Sequence, residues 1–343
     1  MNILVTGGAG YIGSHVVKQI ALDEKTSVTV VDSMCGGDFD SIAILKKQFK
    51  PCSRFNFYKF DLSDKQAIEK LFSESNFDAV IHFAAHLQVG ESVDNPLKYY
   101  LNNTVNTTQL VSMCIKHKVN KFIFSSTAAV YGEPDLVPIS EDAIKQPINP
   151  YGMSKLMSES VIIDSAKAHS DFKYVILRYF NVAGADAGGE IGECHIPETH
   201  LIPLVIHAAI GKRESISLFG DDYNTADGSC IRDYVHVEDL ASAHITALSY
   251  IAETNKSNIF NCGYGVGYSV KQVIKTIKDL SGIDFNVNIV ERREGDPAEL
   301  VADNSKIINE MGWLPKFNDL NLICNSALLW EQKMLKSTQK KKT

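Results

Sequence analysis

The sequence predicts an α/β fold, a doubly wound parallel (Rossmann-like) sheet with a smaller mixed C-terminal region. Three observations predict it. Short β-rich apolar runs alternate with helical segments through the first half, a glycine loop stands between the first run and the first helix, and the alternation breaks near residue 180.

The runs are "NILVTG" (2–7), "SVTVVD" (27–32), "NFYKF" (56–60), "DAVIHFAA" (78–85), "KFIFSS" (121–126) and "YVILRYFN" (174–181). They read as strands buried on both faces, as parallel strands covered by helices are. Most are separated by enough chain for a crossover helix, such as "PLKYYLNNTVNTTQLVSMCIKH" (96–117). Past residue 180 the chain becomes long, irregular and glycine-bearing in "NVAGADAGGEIGECHIPETH". Short strands then mix with helices. The expected division is residues 1–179 as a nucleotide-binding region and 180–343 as mostly a substrate region, with some segments returning to the first.

Composition bounds the partners. With 343 residues, 45% hydrophobic and 22% charged, the chain is globular and long enough for about two domains. A net charge of −7 argues against nucleic acid or an anionic membrane surface. No apolar run approaches the ~18 residues of a membrane span, and Met1 leads into a strand rather than a signal peptide. The seven cysteines are scattered, odd in number and without a CxxC pair. That pattern predicts reduced thiols in a cytoplasm and no metal site. The basic end "KSTQKKKT" is expected to fray.

In "NILVTGGAGYIGSH", Gly7, Gly10 and Gly13 fall directly between strand and helix. Glycines there permit a tight turn and let a pyrophosphate approach the backbone at a helix N-terminus. The spacing is GxxGxxG rather than GxGxxG. Asp32 closes the second run, where a carboxylate accepts ribose hydroxyls and repels a 2′-phosphate, favouring NAD over NADP. Asp61, Ala84 and Ala85 sit at the same ends of other runs, the edge at which such sheets bind ligands.

"INPYGMSKLMSE" (148–159) sets Tyr151 and Lys155 one helical turn apart. By default an i,i+4 pair is a solvated surface contact. A phenol with a pKa of about 10 is a poor base at neutral pH. An ammonium one turn away, with a nicotinamide cation, is expected to lower that value. Ser125, Ser126 and Thr127 offer a hydroxyl at the same edge.

"TGGAGYIGSH", "FSSTAAVYG" and "NPYGMSK" together resemble the extended short-chain dehydrogenase/reductase family. "VGESVDNPLKYYLNN", "LRYFNVAGA", "LFGDDYNTADGSCIRDYVHVEDLA" and "RREGDPAELVAD" resemble its UDP-glucose 4-epimerase members, and the likeness runs from Met1 to about Trp330. The resemblance implies NAD-dependent inversion at C4 of a UDP-hexose, with an epimerase of another UDP-sugar (UDP-N-acetylglucosamine or UDP-glucuronate) as the alternative. It implies Tyr151 as base, Lys155 tuning it and Thr127 beside the sugar hydroxyl. Cofactor positions are then Gly7, Gly10, Tyr11, Ile12, Gly13, Asp32, Asp61, Leu62, Phe83, Ala84, Ala85, Leu87, Asn102, Tyr151, Lys155 and Phe180. UDP-sugar positions are Thr127, Tyr151, Asn181, His200, Leu201, Phe219, Arg232, Arg293, Asp296 and Leu300. A homodimer through the helices around 96–117 and 152–168 is also implied. Guanidinium forks at Arg232 and Arg293 suit a diphosphate in an acidic protein, although "ERRE" (291–294) alone reads as a solvated charge run.

Several competing readings can be weighed on residues. Sugar-nucleotide dehydratases and UDP-glucuronate decarboxylases of this fold carry acidic residues where this chain has Ala128 and Ala129. Redox-sensing regulators of this fold commonly lose the Tyr–Lys pair, which is intact here. Leu87 replaces a common lysine, and Thr199–His200 replaces a common Asn–Asn. Leu300 is intermediate in size at a position where bulk excludes an N-acetyl group, so some activity on UDP-N-acetylglucosamine is expected. His236 is expected to be structural.

Overall fold

The computed structural model describes residues 1–37, 39–293 and 295–340. In chain order the strands are β1 (Asn2–Thr6), β2 (Ser27–Asp32), β3 (Phe55–Lys59), β4 (Ala79–His82), β5 (Lys121–Thr127), β6 (Lys173–Tyr179), β7 (Asn181–Ala183), β8 (Ser215–Phe219), β9 (Ile231–His236), β10 (Asn258–Cys262), β11 (Gly267–Ser269), β12 (Asn286–Val290) and β13 (Glu299–Leu300). The α-helices are α1 (Tyr11–Ile20), α2 (Phe39–Gln48), α3 (Lys65–Glu74), α4 (Val89–Asp94), α5 (Pro96–Tyr99), α6 (Asn106–Lys116), α7 (Pro150–Ala168), α8 (Leu201–Ala209), α9 (Val237–Thr254), α10 (Val270–Ser281) and α11 (Leu320–Lys340).

Seven strands form one sheet in the order β10-β6-β5-β4-β1-β2-β3, every neighbouring pair parallel. The order reverses between β1 and β4, which opens a crevice at the strands' C-terminal ends.

Alternate residues of the central strands enter opposite cores. Ile3, Val5, Ala79, Ile81, Ile123, Val175 and Leu177 pack on the face covered by α1, α2 and α9. Leu4, Val80, Phe122, Phe124 and Ile176 pack on the face covered by α3, α6 and α7. Period-two geometry with apolar partners on both sides therefore explains the uninterrupted apolar runs.

Burial on both faces does not extend to β3. It is the sheet edge, with only Phe55 buried along it and Tyr58 47% exposed. At the opposite edge β10 adds a strand from residues 258–262, and α9 covers β5 and β6, so both belong to the main sheet although they follow residue 180.

The remaining chain lies over the crevice. β9 pairs with β7, β11 and β13, and β8 pairs with β12. Rather than fraying where the basic tail begins, α11 stays helical to Lys340; the last three residues lie outside the described set, as does Glu294 of the "ERRE" run.

Candidate active site

The crevice is a cleft of about 680 Å³, within the ~300–1,000 Å³ range of ligand sites. Its floor begins at the glycine loop. Gly7 has φ +74°, and a Cβ there would sit 2.6 Å from the Ala84 nitrogen. At Gly13 a Cβ would meet the Gly7 carbonyl oxygen at 2.3 Å, so only glycine lets α1 seat against the loop. Gly10 is the N-cap of α1 and provides no side-chain hydrogen bond, leaving the helix N-terminus open to the cleft. Such a terminus suits an anion.

Asp32 ends β2 nearly buried. One carboxylate oxygen accepts from the Ala9 amide at 3.0 Å and the other from Met34 at 2.8 Å. Burial raises its pKa, and both amides oppose that shift. Glycines that leave no room for a side chain, an uncapped helix end and a buried carboxylate at the next strand end together fit a dinucleotide.

All the expected cofactor residues line the cleft: Gly7, Gly10, Tyr11, Ile12, Gly13, Asp32, Asp61, Leu62, Phe83, Ala84, Ala85, Leu87, Asn102, Tyr151, Lys155 and Phe180. The Tyr11 hydroxyl donates to the Gly184 carbonyl at 2.5 Å, tying α1 to the chain that follows β7.

Tyr151 and Lys155 begin α7. Pro150 occupies the first turn, and the Asn149 side chain accepts from the Gly152 amide at 2.9 Å, which fixes where the helix starts. Both side chains are inside, at 8% and 3% exposure, so the pair is no solvated surface contact. Lys155 Nζ donates to the Ser125 carbonyl at 2.8 Å and lies 5.0 Å over the Phe124 ring. Among the described residues no carboxylate forms an ion pair with it. Burial pulls its pKa down to about 7, with Glu159 one turn further along opposing that fall.

The expected fall in the Tyr151 pKa does not occur in the protein alone. Burial raises it, Tyr179 adds to the rise, and a hydrogen bond with Thr127 is the opposing contribution. The reason is geometric. The ammonium is turned to the Ser125 carbonyl and is itself easily deprotonated, so burial outweighs its field.

Thr127 closes β5, and its hydroxyl also accepts from the Ala129 amide at 3.1 Å. Beneath it, Glu159 accepts from Ser126 at 2.5 Å and pairs with buried Arg178 at 2.6 Å, so strand and helix are locked together.

Of the expected sugar-nucleotide residues, Thr127, Tyr151, Asn181, His200, Leu201, Arg232 and Leu300 line the cleft. Parallel pairing of β13 with β9 sets Leu300 opposite Arg232. Phe219, Arg293 and Asp296 do not line it. Asp296 reaches it through an ion pair with Arg232. Arg293 instead stacks its guanidinium 4.2 Å over the Phe219 ring, and both residues are exposed.

His236 is structural. It accepts from the Glu238 amide at the start of α9 and stacks on Phe317 at 4.6 Å.

Sequence reasoning passed over Asn103, Tyr99 and Tyr179. Asn103 bridges both backbone groups of His86 and donates to Ser154 on α7, holding the cleft wall to that helix. It lies in a π-helical turn over Tyr100–Val105. A bulge of this kind often marks a functional site, but it leaves no spacing signal in a helix-like run. Tyr99 stands edge-on to Tyr151 at 6.5 Å.

Fold and site define a dinucleotide-dependent enzyme with a buried tyrosine–lysine pair. Residues 3–263 match the NAD dependent epimerase/dehydratase family. The chain is 45% identical to UDP-glucose 4-epimerase of Halalkalibacterium halodurans over 332 residues, 97% of this chain and 96% of the relative. It is 50% identical to the structure of the UDP-Glc/GlcNAc 4-epimerase from Campylobacter jejuni, covering 97% of this chain and 99% of that one with TM-score 0.85. A UDP-glucose-4-epimerase from Stenotrophomonas maltophila with bound NAD and formylated UDP-arabinopyranose is 37% identical, with coverage of 98% and 99% and TM-score 0.93. The chain belongs to the NAD dependent epimerase/dehydratase family, and its cofactor is NAD.

Proposed function

We propose that this chain interconverts UDP-glucose and UDP-galactose by inverting C4 of the hexose, with NAD retained between turnovers. The observation that carries this reading is the burial of Tyr151 and Lys155 at the start of α7, in one cleft with the glycine loop, Thr127 and Arg232. The relatives' names point the same way.

NAD, when bound, supplies a hydride acceptor, later the donor of the same hydride, and a cationic ring. Tyr151 takes the 4-hydroxyl proton and returns it after the sugar has turned over. Thr127 holds the sugar oxygen against the phenol. Lys155 stabilises the phenolate and is itself kept charged by it. Arg232, steadied by Asp296, anchors the diphosphate while the hexose stays free to rotate. Asp32 and the glycine loop hold the dinucleotide through turnover.

The test is purified protein incubated with UDP-galactose and no added NAD, assayed for UDP-glucose. Conversion supports the reading; no conversion even with NAD added overturns it and sends the question to UDP-N-acetylglucosamine and UDP-glucuronate. A second substrate is favoured by Leu300, which lines the cleft with no more bulk than its isobutyl group, and by the Campylobacter jejuni relative described for both sugars. Activity on UDP-N-acetylglucosamine is therefore part of the proposal.

The homodimer is also a proposal. Val89, Val93, Leu97, Leu101 and Val105 recur every fourth residue and are 46%, 61%, 70%, 62% and 48% exposed, with Met157 of α7 exposed as well. Exposed apolar side chains on consecutive helical segments call for a partner, and a second copy presents the same residues for a two-fold contact. Sedimentation at twice the chain mass checks it. Cys35, Cys52, Cys114, Cys230, Cys262 and Cys324 are free thiols, which agrees with a cytoplasmic location, and no described helix is long and apolar enough to cross a membrane.

A further inference from the structure

Four side chains outside the reacting group converge on the segment that follows β7. Glu193, His195, Glu198 and His200 each offer one ligand atom, and these atoms all lie within 4.8 Å of one another. Glu193 Oε1 accepts from His195 Nδ1 at 2.9 Å and from His200 Nδ1, while Glu198 Oε1 is 3.5 Å from His200 Nδ1. The carboxylates are the deepest members, with side-chain exposures of 5% for Glu193 and 8% for Glu198, against 16% and 40% for His195 and His200.

Two carboxylates and two imidazoles meet here at hydrogen-bonding distance, with the carboxylates on the inner side of the cluster. The donors are imidazole nitrogen and carboxylate oxygen, the set that zinc accepts at about 2.0–2.2 Å. Tetrahedral geometry at those lengths separates ligand atoms by roughly 3.4 Å. Glu193 Oε1 is 2.9 Å from His195 Nδ1 and closer still to His200 Nδ1, while Glu198 Oε1 is 3.5 Å from His200 Nδ1, so on metal binding the Glu193 contacts open and the imidazoles give up the protons they share with it.

We propose that Glu193, His195, Glu198 and His200 bind a zinc ion that fastens the segment carrying them over the cleft. Four protein ligands complete the tetrahedron, so the ion is structural and has no open position for chemistry. The segment is well placed to transmit the effect. His195, Ile196, Pro197 and His200 line the cleft. The Glu193 carbonyl accepts from Trp330 Nε1 of α11 at 2.8 Å, and the His195 ring stands edge-on to Tyr11 at 6.3 Å. One ion thus ties the segment between the first and last helices, and it steadies His200 at the start of α8.

Untagged protein equilibrated with zinc and then passed into metal-free buffer should hold about one zinc per chain by elemental analysis. Chelation should remove it and lower the melting temperature, and zinc should restore both. Cobalt in its place should give the intense visible absorption of a tetrahedral site. His195→Gln and Glu198→Gln, with cooperative melting retained, should each lose the metal. Metal in fewer than about one chain in ten, with no thermal response to zinc, would overturn the proposal. Zinc that persists in both variants would also overturn it, since the ion then sits elsewhere. Should both variants misfold, cobalt added to the unaltered protein still decides, because an octahedral spectrum or none refutes the site. Metal content is read without turnover, so its outcome is independent of the substrate assigned above.

Discussion

Replacing Lys155 with Met should make the cofactor-free protein more stable while abolishing catalysis, and the gain should shrink as pH rises. The magnitude follows from burial. A fall in the Lys155 pKa from 10.5 to about 7 corresponds to about 5 kcal/mol of unfavourable charge burial, at about 1.4 kcal/mol per pH unit. Met fills the same volume against Phe124 without that cost. It leaves the Ser125 carbonyl without its donor, which costs about 1–3 kcal/mol. The net expectation at pH 7 is about 2–4 kcal/mol in favour of the variant.

The sign of the pH dependence is fixed. Between the folded value of about 7 and the unfolded value of 10.5, the unfolded chain holds a proton that the native chain has released. Wild-type stability contributed by this residue therefore rises with pH in that window. From pH 7 to 9 the recovery is about 2 kcal/mol, and the variant's advantage falls by that amount. Urea unfolding at pH 7, 8 and 9, followed by Trp313 and Trp330 fluorescence, measures it. Other titrating groups are common to both proteins and cancel in the difference. A variant that is less stable at every pH, or a difference that does not change with pH, refutes the account of Lys155 as a strained buried cation.

Tyr151→Phe should keep NAD, measured by release on denaturation, and lose turnover by about 10²–10⁴-fold; near-normal turnover would remove it as the base. Gly13→Ala places a Cβ 2.3 Å from the Gly7 oxygen and 2.8 Å from Gly8 Cα. It should cost about 1–3 kcal/mol and weaken NAD retention, whereas Gly90→Ala, with nothing within 4 Å, should do neither in a melting assay. Leu300→Tyr should lower kcat/KM for UDP-N-acetylglucosamine far more than for UDP-glucose; equal losses would show that this position does not read the C2 substituent.

The elements that were legible share a local cause. Strands β1, β4, β5 and β6 are buried on both faces, so their apolar runs carry the fold on their own. β3 lies at an edge, and its run differs little in composition because Phe55 and Phe57 still cover one side. β10 was harder to see, since "NIFNC" buries Asn261, whose side-chain oxygen accepts from Tyr131 and whose amide donates to the Ile139 carbonyl. The glycine loop was legible because backbone contact dictates residue type at Gly7 and Gly13. Where the contact joins a strand to a loop distant in sequence, as in Arg232 with Asp296 or Arg293 on Phe219, sequence gives the residues without saying which of them reach the cleft. The Glu193–His200 cluster has no cysteine among its four members, so cysteine spacing does not mark it; two histidines and two glutamates within eight residues are its signal.

The tyrosine–lysine pair shows where the limit falls. Spacing on α7, with the cap at Asn149, gives the two side chains a common face, and that much is local. Whether Lys155 carries a proton depends on how completely β5 and the Phe124 ring exclude water from it, which is a property of the whole packed layer. The same burial that raises the Tyr151 pKa lowers that of Lys155, so the protein alone holds both groups near neutrality. A phenolate and an ammonium formed together satisfy each other's charge, whereas either alone is opposed by burial. A further positive charge in the cleft would favour the Tyr151 phenolate while opposing the Lys155 ammonium, so on the proposed mechanism Tyr151 takes up a proton only in a loaded site. Burial that disfavours the phenolate in the free protein is the physical reason a base this weak would sit idle without cofactor and act with it.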